Sequence, residues 1–176
     1  VSVLAVAPLN VPATVTSTGI VSAAQQVSVM PQVSGQVVMV SEDLIPGGRF
    51  SKGDQLLRVD PRDYRLAVNQ TKSQVRASEL ELNIEEQRQG VAAREWELLG
   101  NKGDASQLVL RKPQLGVAQV SLEAAKSALG AAQLNLERTG LYAPFTSMVV
   151  MESVDMGQVV GPSTQVATLI GTARFW

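Results

Sequence analysis

The chain has 176 residues, with 15 basic and 16 acidic side chains and a formal net charge of -1. It contains no cysteine and no histidine, which excludes a disulfide framework, a thiol nucleophile, a Ser-His-Asp triad and the usual zinc or copper ligands. The balanced charge and 4% aromatic content offer neither the basic footprint nor the stacking platform of a nucleic-acid partner, and no apolar run reaches the ~18 residues of a spanning helix.

Charges and prolines divide the chain into three zones. Residues 60–140 carry 22 of the 31 charged side chains but only two of the eight prolines, Pro61 and Pro113. The flanks are rich in valine and carry turn pairs such as Pro46-Gly47 and Gly161-Pro162. They read as β and the middle as α. The chain opens at Val1 and stops at Arg174-Phe175-Trp176, in what reads as the opening of another strand. The expectation is a segment of a longer protein.

Residues 1–26 read as strands leading to or from a neighbouring region. Residues 27–60 form a first β-unit: MPQVSGQVVMV with Gly35, then PGGRFSKGDQLLRVD with Gly48 and Gly53. In the middle zone, Asp60 is placed to N-cap a helix with Pro61 at its first position and Asp63 in its first turn. This helix is expected to run to about Leu99. Gly100, Gly103 and Asp104 break it, and the tip falls near 100–106. Ser106 or Asp104 caps a second helix running to about Thr139, where Gly140 ends it. An alternative start near Pro113, with a longer tip, answers the difficulty of a proline inside a helix.

The second helix carries the clearest periodicity. Leu108, Leu115, Leu122, Leu129 and Leu136 are seven apart, and Ala118, Ala125 and Ala132 each follow a leucine by three, an a/d-type seam. In the first helix Val68, Val75, Leu82 and Trp96 make one seven-spaced row, with Gln89 interrupting; Ala77, Ile84, Val91 and Leu98 make another. The rows are about 200° apart, so one packs on the second helix and the other faces outward, toward another subunit or solvent. An antiparallel hairpin follows, a projecting rod of roughly 50 Å. Glu85, Glu86, Glu95 and Glu97 read as solvated faces, with no acid–base constellation among them.

Residues 141–172 repeat the β-plan. YAPFTSMVVMESV matches the first strand pair, and Gly157 and Gly161 precede QVATLIG as Gly48 and Gly53 precede the last strand of the first unit. Three short strands are marginal alone, so both units are expected to share one flattened sandwich. The inserted hairpin leaves and returns at adjacent points. Residues 173–176 read as the opening of another strand. Met39, Met148, Met151 and Met156 lie in or beside the strand runs and are expected in the core rather than on a soft metal.

VMPQVSGQVVMV, GGRFSKGDQLLRVDPRDY, LERTGLYAPFTSMV and GQVVGPSTQVATLI, in this order and spacing, resemble the periplasmic adaptor, or membrane fusion, proteins of tripartite efflux pumps. The resemblance covers nearly the whole chain. It implies an α+β fold: a lipoyl-like barrel-sandwich hybrid split by an inserted antiparallel α-helical hairpin. Ser147 departs from it, standing where glycine is usual, as does Thr146, where an acid is common.

By the same resemblance the protein is not an enzyme and holds no cofactor or metal. The turn that bears lysine in biotin or lipoate carriers is replaced by the helices, and MVVM (Met148–Met151) has no lysine. The implied partners are an inner-membrane transporter of the resistance-nodulation-division (RND) class, an outer-membrane channel, and further copies of the chain as a trimer or hexamer. The implied location is the periplasm, tethered to the inner membrane by an N-terminal anchor outside this chain. An ABC-type or type I secretion exporter is the alternative setting, and a carrier domain the alternative class. Arg94, Leu98, Leu99 and Ser106 are the expected channel contacts at the hairpin tip. Leu99 as seam packing and Ser106 as a helix cap are the structural readings of the same residues.

Overall fold

The computed structural model of the protein describes residues 2–3, 13–99 and 106–176. The expected helix break at Gly100, Gly103 and Asp104, and most residues before 13, lie outside the described residues; of the strands expected over 1–26, residues 13–21 form none, because they are exposed and meet no apolar surface to pack on. In chain order the elements are β1 (Gln26–Val29), β2 (Gly35–Val40), β3 (Arg49–Phe50), β4 (Gln55–Val59), α1 (Arg62–Leu98), α2 (Lys112–Glu137), β5 (Gly140–Tyr142), β6 (Ser147–Glu152), β7 (Val159–Val160) and β8 (Ala167–Gly171).

The strands form two four-stranded sheets, ordered β1-β8-β6-β3 and β5-β4-β2-β7. Advancing each strand number of the first sheet by four, cyclically over the eight strands, gives the second, so the fold is internally two-fold. The match is residue by residue in GQVVMV (β2) and SMVVME (β6). Val37 and Val149 are buried, Val38 and Val150 face solvent, and the strand register shifts between Val37 and Met39 as it does between Val149 and Met151. Each sheet contains strands from before and after the helices, all antiparallel. Neither unit can therefore complete a sheet by itself.

One core serves both units. Val29, Val37, Leu44, Phe50, Leu56, Leu57 and Val59 come from before the helices; Ala143, Val149, Val154, Val160, Val166, Ala167 and Leu169 come from after them. Each fully buried Val, Leu or Phe contributes about 1.5–3 kcal/mol of apolar burial. The four methionines expected there are not in it: Met39 and Met148 are half-buried, and Met151 and Met156 are exposed. A strand alternates faces, so an apolar run in a short strand does not place every member inside, and Met156 sits in the turn before β7.

The hairpin grows from this base. Val59 N–H bonds to Thr139 O (2.8 Å), Asp60 N–H to Gln36 O (2.8 Å) and Tyr64 Oη to Ser34 O (2.7 Å). The first bond sets the foot of α1 beside the end of α2, and the other two tie α1 to β2 and the residue before it. Asp60 acts one residue earlier than expected: Pro61 is the N-cap residue and α1 begins at Arg62. The Asp60 carboxylate accepts Arg62 N–H (3.0 Å) and pairs with its guanidinium (2.6 Å).

The arms are unequal. α1 spans 37 residues and α2 only 26, or about 55 and 39 Å at 1.5 Å per residue. α2 starts at Lys112 rather than Ser106, which resolves the difficulty of Pro113: it falls in the first turn, where its missing N–H is no loss. At the other end of the chain, Ser22 and Trp176 exchange two backbone bonds and Ala24 N–H bonds to Arg174 O (3.1 Å). Residues 22–24 thus pair antiparallel with 174–176.

Candidate docking surface at the end of the hairpin

The inner seam of the hairpin is small. Val75, Leu122 and Ala125 form its buried cluster, flanked by Leu82 and Leu129, and Ala118 is buried beside them. Leu115 and Leu136 are half-buried on the same face. Alanine opposite leucine lets the helices approach closely. Leu108 does not belong to this seam. It lies in the turn before α2 and is 72% exposed, because the helix that would carry it inward has not yet begun.

The outward row of α1 is as anticipated: Ala77, Ile84, Val91 and Leu98 are exposed, and Leu80 adds to them. α2 has its own outward apolar positions, Val117, Val120 and Leu134. Each helix therefore has an apolar edge turned away from its partner.

These features converge toward the far end. Leu98 is 86% and Leu99 75% exposed, so Leu99 does not pack in the seam. Arg94 is exposed beside them. Ser106 is exposed, and its Oγ accepts Val109 N–H at 3.3 Å, capping a turn rather than α2. An open groove of about 790 Å³ runs between α1 and the turn, lined by Leu80, Ile84, Val91, Leu108 and Val109 among others. Contiguous exposed apolar surface of this kind marks an interaction site.

At the rim of the groove stands an ionic cluster that periodicity alone does not reveal. Glu85, expected on a solvated face, is only 9% exposed. Its Oε1 accepts Arg88 Nη1 (2.6 Å), and its Oε2 accepts Arg111 Nη2 (2.8 Å) and Nε (3.2 Å). The Arg111 bonds, then those of Arg88, hold the Glu85 carboxyl below the ordinary glutamate range. A signal was available: Glu85 follows Leu82 by three, as Ser78 follows Val75, and so falls on the inner face.

The turn glycines lie at the base, far along the chain from this surface. Gly47 and Gly157, with φ of 89° and 91°, occupy equivalent points two residues before β3 and β7. The partner of Gly157 in the repeat is thus Gly47, one residue before Gly48. Such left-handed backbone favours glycine. Gly53 precedes β4, Gly161 follows β7 and Gly35 opens β2.

A family model described as "RND MFP, barrel-sandwich hybrid domain" matches residues 25–172. The chain belongs to the RND membrane fusion protein family. Two relatives named "Multidrug resistance protein MdtA" align with it. That of Yersinia enterocolitica serotype O:8 is 29% identical over 164 residues, covering 92% of this chain and 36% of the relative. That of Klebsiella pneumoniae is 27% identical, covering 92% and 39%. The chain thus spans well under half the length of the curated relatives it matches. Among solved structures, MacA from Actinobacillus actinomycetemcomitans shares the fold with a TM-score of 0.74 and 20% identity, over 88% of this chain and 52% of MacA. The membrane fusion protein fold is the split barrel-sandwich hybrid with inserted hairpin described above. Among the described residues no helix is long and apolar enough to cross a membrane.

Proposed function

We propose that this chain is the base and rod of a periplasmic adaptor in an efflux pump, bridging an inner-membrane RND transporter to an outer-membrane channel for export of drugs or other small molecules. It works by assembly and not by catalysis. The β-module is the rigid base; the hairpin carries a docking surface outward; Arg94, Leu98, Leu99 and Ser106 meet the channel there. The full-length protein sits in the periplasm, held to the inner membrane by an anchor.

The observation that carries this reading is the exposure of Leu98, Leu99 and Leu108 together at the end of a rod fixed by hydrogen bonds to a doubly built base. Leucines left in water at the far end of a long hairpin gain by burial against a partner. Family membership and relatives named for multidrug resistance support the setting.

The two outward apolar edges support self-association as well. The α1 edge (Leu80, Ile84, Val91) of one copy against the α2 edge (Val117, Val120) of the next is a heterologous contact, which closes into a ring when the rotation permits. A trimer or hexamer is such a ring. The reading is tested by replacing Leu98 and Leu99 with aspartate in the full-length protein and measuring drug susceptibility of a strain that depends on it. Loss of resistance with an unchanged fold is expected; full resistance contradicts the docking assignment.

A further inference from the structure

The turn before α2 is not frayed helix. Leu110 N–H bonds to Ser106 O (3.1 Å), Arg111 N–H to Leu108 O (3.1 Å) and Lys112 N–H to Gln107 O (3.0 Å). The helical ladder resumes with Leu115 N–H to Arg111 O (3.0 Å). Arg111 is therefore the joint between turn and rod. Its backbone is left-handed, φ 52° and ψ 23°, and it is the one non-glycine residue with positive φ among the described residues. A Cβ is disfavoured in that conformation, where glycine or asparagine is the common occupant. Such a backbone persists when surrounding contacts over-determine it.

The contact that does so is with Glu85. Arg111 turns back across the hairpin and places two donors on one carboxylate oxygen, while Arg88 takes the other. The Glu85 side chain is 12% exposed and that of Arg111 35%, so the pair is screened less than a fully exposed one. Among the described residues this is the single ion pair that joins the two arms. Arg62–Asp60, Arg88–Glu85 and Lys126–Glu123 are all local in sequence.

An apolar residue at position 85 would fill the inner seam without the cost of desolvating a charge. The best-attested use of an ion pair in such a place is to select one arrangement among several. What it selects here is the direction of the turn, because Arg111 is its hinge.

We propose that Glu85 and Arg111 are positioning residues for the hairpin's end. Their pairing fixes the angle at which residues 106–111 leave α2, and so holds Leu108 and Val109 as the second wall of the groove opposite Ile84 and Val91. This rests on the reading that the end of the hairpin docks on the outer-membrane channel, which is the occupant of the groove. With the pair broken, the turn is free to swing on residue 111 and the groove loses its shape, while the seam around Val75 and Leu122 and the β-module stay intact.

The protein has no cysteine, so paired spin labels can be introduced cleanly at Lys72→Cys and Gln107→Cys, both exposed positions. The distance distribution between them is measured in the full-length protein, with thermal stability and drug export recorded alongside. Three variants are compared: Glu85→Gln, Arg111→Lys and Arg111→Gly. Glu85→Gln decides the matter, since it removes the ion pair and leaves the backbone of residue 111 untouched, whereas Arg111→Gly also loosens the joint. The expected result is a distribution at least twofold broader in Arg111→Gly and Glu85→Gln, less so in Arg111→Lys, with export reduced at least tenfold and the protein still folded, its melting transition lowered in Glu85→Gln because the ion pair is lost. An unchanged distribution in Glu85→Gln overturns the latch. A broadened distribution with full export overturns its role in docking. Leu99→Asp serves as the separate arm: if that variant also exports fully, the docking reading itself fails, whatever the labels report.

Discussion

Val37 and Val149 hold the two halves of the β-module together by the same pair of bonds. Val37 donates its N–H to Gln158 O (2.8 Å) and accepts Gly157 N–H (2.8 Å); Val149 donates to Gly48 O (2.9 Å) and accepts Gly47 N–H (2.8 Å). Each valine thus clasps the glycine turn of the opposite half, and each buries its side chain in the common core. Equivalent positions should have equivalent energetics. Val37→Ala and Val149→Ala are each expected to cost about 2 kcal/mol. Urea denaturation of the two variants checks this; a near-neutral result at one site and a large one at the other would show that the halves do not share the core equally.

Gly35 and Ser147 open the corresponding strands but differ in what they tolerate. A Cβ on Gly35 would stand 2.6 Å from Val59 Cγ1, inside a packed core. Gly35→Ala is therefore expected to destabilise by about 1–3 kcal/mol. Ser147 is fully buried and its hydroxyl has no hydrogen-bond partner among the described residues. Ser147→Ala removes an unsatisfied polar group and should stabilise by about 1 kcal/mol. Equilibrium unfolding of both variants reads opposite signs if the assignment is right.

Leu122 and Leu108 belong to one seven-spaced row yet sit in different environments. Leu122→Ala should cost about 2 kcal/mol, through loss of the seam's buried leucine. Leu108→Ala should stay within about 0.5 kcal/mol, because its side chain already faces water. Helical circular dichroism followed through thermal unfolding distinguishes the two.

The lowered Glu85 pKa has a definite sign in stability. The folded state favours the ionised carboxyl, because Arg111 and then Arg88 donate to it. Its contribution is therefore fully present above the ordinary glutamate pKa and is lost as pH falls below that value and through the lowered one. The Asp60 carboxyl, held low by Arg62 at the foot of α1, behaves in the same way. Acid titration of the spin-labelled protein should broaden the turn's distances only below the ordinary glutamate range. Glu85→Gln should show the broad distribution at every pH; a pH-dependent turn in that variant would contradict the assignment.

The sandwich and the rod were both legible in the sequence, for different reasons. The β-units announce themselves because one plan, a valine-rich run after a turn and then a glycine turn before a last strand, occurs twice, around GQVVMV and SMVVME. The hairpin shows because leucine and alanine recur every seven residues. Which strands share a sheet was not legible: the exchange of β3 and β7 between halves depends on backbone bonds made by Gly47, Gly48 and Gly157, and side-chain patterning does not encode that. Leu108 was misplaced because its spacing continues the leucine row, while the left-handed Arg111 and Pro113 delay the helix. Glu85 was misplaced because its charge outweighed its position on the inner face. Both errors trace to Arg111, whose left-handed backbone delays α2 and whose guanidinium holds Glu85 on the inner face.

The central claim is that the end of the hairpin docks on an outer-membrane channel. A photoreactive amino acid placed at Leu99 of the full-length protein and irradiated in living cells tests it most directly. A covalent adduct with an outer-membrane channel protein is expected, lost when Leu98 is replaced by aspartate. Efficient labelling that yields no outer-membrane adduct in actively exporting cells would contradict it.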